Sequence, residues 1–134
     1  WGGNFFTDKI PQGNHWLFWD KRNTMPSFGD GELAWTSMPT PLRAVTVNRG
    51  ALQGSEHPTQ KPVKVIEFSL EYLGASLVVL DLFGGSGTTL IAAAQTGRVA
   101  RVIELDPRYC DVIRRRWTRW AKEHGKPVGS GGLE

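Results

Sequence analysis

The stretch that most constrains this chain is Asp81-Leu82-Phe83-Gly84-Gly85-Ser86-Gly87-Thr88-Thr89-Leu90, which follows directly on the apolar run Leu77-Val78-Val79-Leu80. A short apolar run bounded by turn residues reads as a buried strand, and the small residues after it read as a tight turn feeding a helix. Glycine has no Cβ, so Gly84, Gly85 and Gly87 together leave a backbone that a ligand can approach closely. A bare turn at the C-terminal end of a parallel strand is where open α/β sheets hold nucleotide-like ligands. The plain alternative is a tight strand-to-helix turn that binds nothing.

The flanking sequence supports an α/β unit. Val63, Ile66, Leu70 and Leu73 fall at helical spacing, with Pro62 suited to the first turn and Gly74 to the C-cap. Residues 77–80 predict a buried strand, Thr88 to Thr96 a helix of small residues stopped by Gly97, and Val99 to Leu105 a second strand. Asp106-Pro107 opens a last helix reaching Gly125, with Tyr109, Val112, Ile113, Trp117 and Trp120 along its apolar stripe. Strand, helix and strand with short links predict a right-handed parallel unit. Upstream, residues 15–19 and 32–36 predict two strands, whereas residues 38–58, with three prolines and two glycines, predict a long connection. The glycines from 129 to 132 predict a flexible tail over residues 126–134.

Length and composition narrow the classes. The 134 residues suit one domain. The longest apolar runs are far shorter than a membrane span, and Trp1-Gly2-Gly3-Asn4 lacks the basic start of a signal peptide, so no membrane association and a cytoplasmic, prokaryotic or phage-type location are expected. The single cysteine, Cys110, excludes an internal disulfide and an all-cysteine metal cluster, and His15, His57 and His124 show no metal-ligand spacing. A net charge of +3 permits an anionic partner without identifying one.

Three ligand chemistries compete for the glycine turn. A triphosphate loop needs a lysine before its Ser or Thr, but Gly87 is followed by Thr88-Thr89. A dinucleotide fingerprint needs a third glycine where Leu90 stands, so that match is partial. S-adenosylmethionine has no pyrophosphate and needs only a close, uncharged turn. Glu104, expected to end the second strand, can accept both ribose hydroxyls of either of the last two. An NAD-type oxidoreductase domain therefore stays open on these residues alone.

A second stretch adds to this. His57-Pro58-Thr59-Gln60-Lys61-Pro62-Val63, followed by a helix and then by Leu80 to Thr89, resembles the C-terminal half of the amino-group DNA methyltransferases, the N6-adenine and N4-cytosine enzymes. It is most similar to their permuted, beta-class-like group, in which the cofactor motifs follow the catalytic ones. Residues 15–21 and 28–37 are similar to the region those enzymes carry between the two, so the resemblance spans nearly the whole chain.

The resemblance implies an α/β, Rossmann-like S-adenosylmethionine-dependent methyltransferase fold in one domain, residues 1–134. Residues 1–37 would hold strands that follow the catalytic motif, residues 38–58 a connection or target-recognition loop, and residues 59–125 the cofactor-binding αβαβα part. Asp81, Phe83, Gly85 and Gly87 would form the cofactor loop, with Glu104 on the ribose and Thr59 and Lys61 near the methionine end. An ammonium at a helix start is poorly placed for the helix dipole but well placed to meet a cofactor carboxylate. His57 either braces its loop or touches ligand.

The implied reaction is direct attack of an exocyclic amino group of DNA, adenine N6 above all, on the sulfonium methyl, with neither a metal nor a covalent enzyme intermediate. Family members place an Asp/Asn/Ser-Pro-Pro-aromatic tetrapeptide beside the cofactor strand, where it grips the amino group of the flipped base. This sequence contains no Pro-Pro dipeptide, and Asp106-Pro107-Arg108-Tyr109 reads as a helix start. By the family pattern the motif belongs upstream of Trp1, WGGNFF being the end of the strand after the catalytic one. The implied fold is thus incomplete at its N-terminus, lacking a strand between residues 77–80 and the N-terminal strands. A complementing segment or a second copy of the chain would fill that place, and the chain alone would be inactive. A cofactor-binding remnant or subunit without activity of its own is the alternative.

DNA is the expected partner. Lys21 and Arg22 in the loop 20–31, which also carries Phe28, and Arg43 and Arg49 in the connection are candidate contacts. Arg114, Arg115, Arg116, Arg119 and Lys122 are expected on the outer face of the last helix, either attracting phosphate or favouring the helix dipole. Cys110, beside Tyr109, is expected to be buried rather than reactive.

Overall fold

In the computed structural model, which describes residues 1–13, 15–23, 29–48, 60–72, 74 and 76–128, the chain starts with a single 3-10 turn at Gly3–Phe5. WGGNFF is therefore not a strand end: Gly2 takes a left-handed φ of 84°, and the Phe5 and Phe6 amides close back on Gly2 and Gly3. Strands β1 (Trp16–Asp20), β2 (Gly31–Trp35) and β3 (Arg43–Thr46) then form one sheet in the order β2-β1-β3. β1 is antiparallel to β2, with Trp16 opposite Trp35, and parallel to β3, with Leu17 opposite Arg43. Alternation decides the faces: Leu17 and Trp19 are buried, and their neighbours are half-buried. β3 lies inside the stretch expected to be an irregular connection. The run Ala44-Val45-Thr46 has the branched residues a strand favours, and pairing with β1 outweighs the nearby Pro39 and Pro41.

The second half follows the alternation read from the sequence. Helix α1 spans Val63–Glu71, strand β4 Val78–Asp81, helix α2 Thr88–Gln95, strand β5 Val99–Val102 and helix α3 Pro107–Glu123. β4 and β5 pair in parallel, Val78 opposite Val99 and Asp81 opposite Val102, with α2 as the crossover. Pro62 is the N-cap of α1, whose C-cap is Tyr72 rather than Gly74, and Leu73 lies outside the described residues. The Arg98 guanidinium donates to the carbonyls of Leu70 and Gly74, satisfying groups at the exposed end of α1. Asp106 caps α3 by accepting from the Arg108 amide at 2.9 Å, and Pro107 fills the first turn. Asp106 to Tyr109 is thus a helix start, as its sequence indicates.

Packing is one-sided, which corrects the expectation of a buried strand at residues 77–80. Val79 packs with Leu70 and Ala92 under α1 and α2, and Ile91 packs with Trp120 and Ala121 of α3. On the opposite face Val78, Leu80, Val99 and Ile103 are exposed. Parallel sheets are normally covered on both faces, so an all-apolar strand was the natural reading; here only Val79 has helices over it. Among the described residues β4 pairs with β5 alone, and the two sheets do not join.

Candidate functional site

The turn after β4 takes its shape from glycine. Gly85 and Gly87 have left-handed φ values of 53° and 79°, and Gly87 caps α2 against Ile113 of α3. Gly84 is needed for a different reason, since a Cβ there would lie 2.5 Å from Val102 Cγ1. Asp81 accepts the Phe83 amide at 3.0 Å, turning the chain sharply and leaving the Phe83 ring almost wholly exposed.

Glu104 stands two residues beyond the end of β5, in the turn before α3, not at the strand terminus. Its Oε1 accepts from the Asp106 amide at 2.8 Å and its Oε2 from the Gly85 amide at 2.6 Å. Those two amides, Asp106 first, hold the carboxyl below the usual carboxylate range. Each oxygen retains acceptor capacity for a ligand hydroxyl.

Lys61 Nζ lies 3.1 Å from Glu32 Oε1, and Lys21 Nζ lies 3.2 Å from Oε2 of the same carboxylate. Burial pushes the Glu32 carboxyl up, and the Lys61 and Lys21 ammonium groups more than offset it, so it titrates below its ordinary value. Two ammonium groups thus share one carboxylate at this corner.

These elements enclose a cleft of about 890 Å³ whose lining includes Lys61, Asp81, Phe83, Gly85 and Glu104. Gly87 stands behind the wall, Arg49, His57 and Thr59 lie outside the described residues, and so does Phe28. The sequence reading missed several of the residues that line the cleft. Trp1 is there, its indole Nε1 donating to Ser69 Oγ of α1 at 3.1 Å. Leu105, almost fully exposed, also lines it. Gln60 adds a buried side-chain oxygen with no hydrogen-bond partner among the described residues. No local signal marks Trp1 or Leu105, but Gln60 adjoins Lys61 and was within reach of the same motif.

The surface candidates separate. Lys21 is mostly buried, paired with Glu32 and lying 4.9 Å from the Trp19 ring centroid, so it belongs to the fold interior. Arg22 takes a φ of 46° and pairs with Asp20 at 3.2 Å while staying exposed. Arg43 is exposed on β3. Arg114 pairs with Asp111 on the outer face of α3, whereas Arg116, expected outside, turns inward to the glycine turn. Cys110 is half-buried, its Sγ 3.5 Å from the Glu104 carbonyl.

A cleft lined by an ammonium, a carboxylate and exposed apolar side chains suits a ligand with hydroxyls, a flat ring and an acidic end. Comparison with known proteins gives the family. Residues 11–115 match a family described as DNA methylase, comprising N6 and N4 methyltransferases. The orphan methyltransferase M.BamHII of Bacillus amyloliquefaciens is 30% identical over 112 residues, 83% of this chain and 41% of that protein. Among solved structures, the M1.HpyAVI–SAM complex is 25% identical with a TM-score of 0.63, over 76% of this chain and 60% of that one. The PvuII DNA methyltransferase, a cytosine-N4-specific enzyme, is 22% identical with a TM-score of 0.56, over 78% of this chain and 50% of that one. The fold is accordingly that of the Rossmann-like methyltransferases. The chain spans less than two thirds of each of these relatives.

Proposed function

The chain belongs to the DNA methylase family of N6 and N4 methyltransferases, and from that premise we propose that its cleft binds S-adenosylmethionine for methylation of an exocyclic amino group of DNA, adenine N6 being the expected target. The observation that carries this reading is the convergence of Lys61, Asp81, Phe83, Gly85 and Glu104 on one cleft. The donor set suits the cofactor. Glu104 would hold the ribose hydroxyls and Lys61 the methionine carboxylate. The Gln60 oxygen, without a partner among the described residues, offers an acceptor for an ammonium beside that carboxylate. Phe83 and Leu105 would flank the adenine ring. Thr59 remains part of the proposed site through its motif.

The bound cofactor would supply an activated methyl group on a sulfonium. What this chain's residues contribute in this reading is binding and orientation, since amino attack on a sulfonium needs alignment above all. The base-gripping groups belong, in this reading, to another segment, because the sequence has no Pro-Pro tetrapeptide. The bare face of β4 and β5 and the free edge of β4 among the described residues support a further strand-bearing segment, or a second copy, docking there. We keep the permuted order in this reading, supported by the position of β1 to β3 before the glycine turn. Arg22, Arg43 and Arg49 are the proposed DNA contacts; Lys21 would act only through Glu32.

Calorimetric titration with S-adenosylmethionine, with NAD as control, tests the cleft. Saturable binding of the first alone is the expected result; binding of NAD alone would make the domain a dinucleotide module. The chain by itself is expected to leave unmethylated DNA unmodified. Addition of the complementing segment should then yield N6-methyladenine, and N4-methylcytosine instead would reassign the base.

A further inference from the structure

We propose that Arg116 is a positioning residue for the cofactor cleft, holding the glycine turn from α3 and, through Thr88, the backbone of Lys61. The inference rests on the cleft being the S-adenosylmethionine site. Arg116 Nη1 lies 2.6 Å from the Ser86 carbonyl, 2.8 Å from Ser86 Oγ and 3.3 Å from Thr88 Oγ1, donating to each. Thr88 Oγ1, accepting from the guanidinium, donates its own proton to the Lys61 carbonyl at 3.2 Å. The polarity is consistent along the relay, and it crosses three elements that share no strand pairing.

Ser86 and Thr88 are both buried, so without the guanidinium the Ser86 carbonyl and hydroxyl would lose a charge-assisted donor in a place with little water. Glu104 grips the adjoining residue, Gly85, from the other side. A turn made of glycines has little stiffness of its own. Its geometry is therefore imposed from outside, by the Ile103 carbonyl on residue 84, a carboxylate on residue 85 and a guanidinium on residue 86, all carried by the segment that follows β5. The same guanidinium fixes where the Lys61 backbone stands relative to that turn. Lysine would not substitute fully, because its side chain is shorter and its ammonium, more strongly hydrated than a guanidinium, is costlier to hold beside the buried Ser86 and Thr88.

The test is the S-adenosylmethionine dissociation constant of the full chain, measured beside thermal melting. Arg116→Ala is expected to weaken binding about tenfold, Arg116→Lys and Ser86→Ala by about threefold each, and Arg119→Ala, on the exposed face of α3, not at all. Combining Arg116→Ala with Lys61→Ala is expected to cost less than the product of the single losses, because part of each acts through the same backbone. If Arg116→Ala does not fold, Arg116→Lys and Ser86→Ala decide. A lower melting temperature with affinity within twofold of the unaltered chain, or losses that multiply independently, would overturn the proposal. An unaltered chain that melts cooperatively yet binds no S-adenosylmethionine would overturn the reading of the cleft first, and the role of Arg116 with it.

Discussion

Glu104 Oε2 accepts the backbone N–H of Gly85 at 2.6 Å, so a side-chain latch extends by one residue the backbone link that Gly84 N–H makes to the Ile103 carbonyl at 2.8 Å between the turns after β4 and β5. The latch sits in the cleft it shapes, which makes one carboxylate both a structural tie and the candidate ribose acceptor.

Replacing Glu104 tests both roles together. Glu104→Ala is expected to weaken S-adenosylmethionine binding about tenfold, roughly 1.4 kcal/mol, the scale of a lost hydrogen bond to a charged acceptor. Glu104→Gln, which keeps the shape but only one acceptor oxygen, should fall between. Calorimetry reads both, and an unchanged affinity would remove Glu104 from the site.

Acid should loosen the same latch. The Glu104 carboxyl titrates lower in the fold than in the unfolded chain, and so does that of Glu32. A depressed carboxyl contributes stability that is fully present above its unfolded value, about 4.3, and is lost as pH falls through the folded value. Melting temperatures should therefore hold from pH 7 to about 5 and drop below, and Glu104→Gln should flatten part of the drop. An acid limb of the same slope in that variant would show that Glu104 contributes nothing to it.

Two glycines of the turn are required for different reasons, and alanine separates them. At Gly84 the added methyl meets Val102 Cγ1 at 2.5 Å, an overpacking expected to cost about 1–3 kcal/mol. At Gly87 the nearest contact is looser, Ile113 Cγ1 at 3.1 Å, and the φ of 79° dominates, at roughly 1–2 kcal/mol. Gly74→Ala, with a φ of 64° and open space around it, isolates the backbone cost. Urea melts that place Gly84→Ala level with the unaltered chain would refute the close approach.

The one-sided sheet gives a paired prediction. Leu70→Ala empties a site against Val79 and Ala92 and should cost about 2–5 kcal/mol. Leu80→Ala, on the bare face with Leu80 64% exposed, should stay within about 0.5 kcal/mol for the chain alone. A large loss at Leu80 would mean that the face is already covered, by a second copy of the chain.

Much of this was legible in the sequence because its signals are local. Pro62, Gly97 and Asp106-Pro107 punctuate α1, α2 and α3, and the apolar period between them matches the helices found. Lys61, Asp81, Gly85 and Glu104 could be singled out by residue type and order. β3 was missed because Pro39 and Pro41 outweigh four residues of strand preference until β1 is there to pair with them. The inward turn of Arg116 was missed because cations at 114, 115, 116 and 119 look alike on a helix face. Which one has a buried carbonyl opposite depends on where the glycine turn lies in space.

By itself the sequence determined the order of helices and strands after residue 62 and the bareness of the turn at 84–87, since capping, period and the missing Cβ act within a few residues. Tertiary structure alone decided that Lys61 shares Glu32 with Lys21, that Glu104 reaches back to Gly85, that Arg116 supports the turn, and that β4 has one apolar face open. Each of these joins residues many positions apart. Whether a charge is paired or an apolar face covered follows from which elements pack together, a property of the folded chain that no local stretch carries.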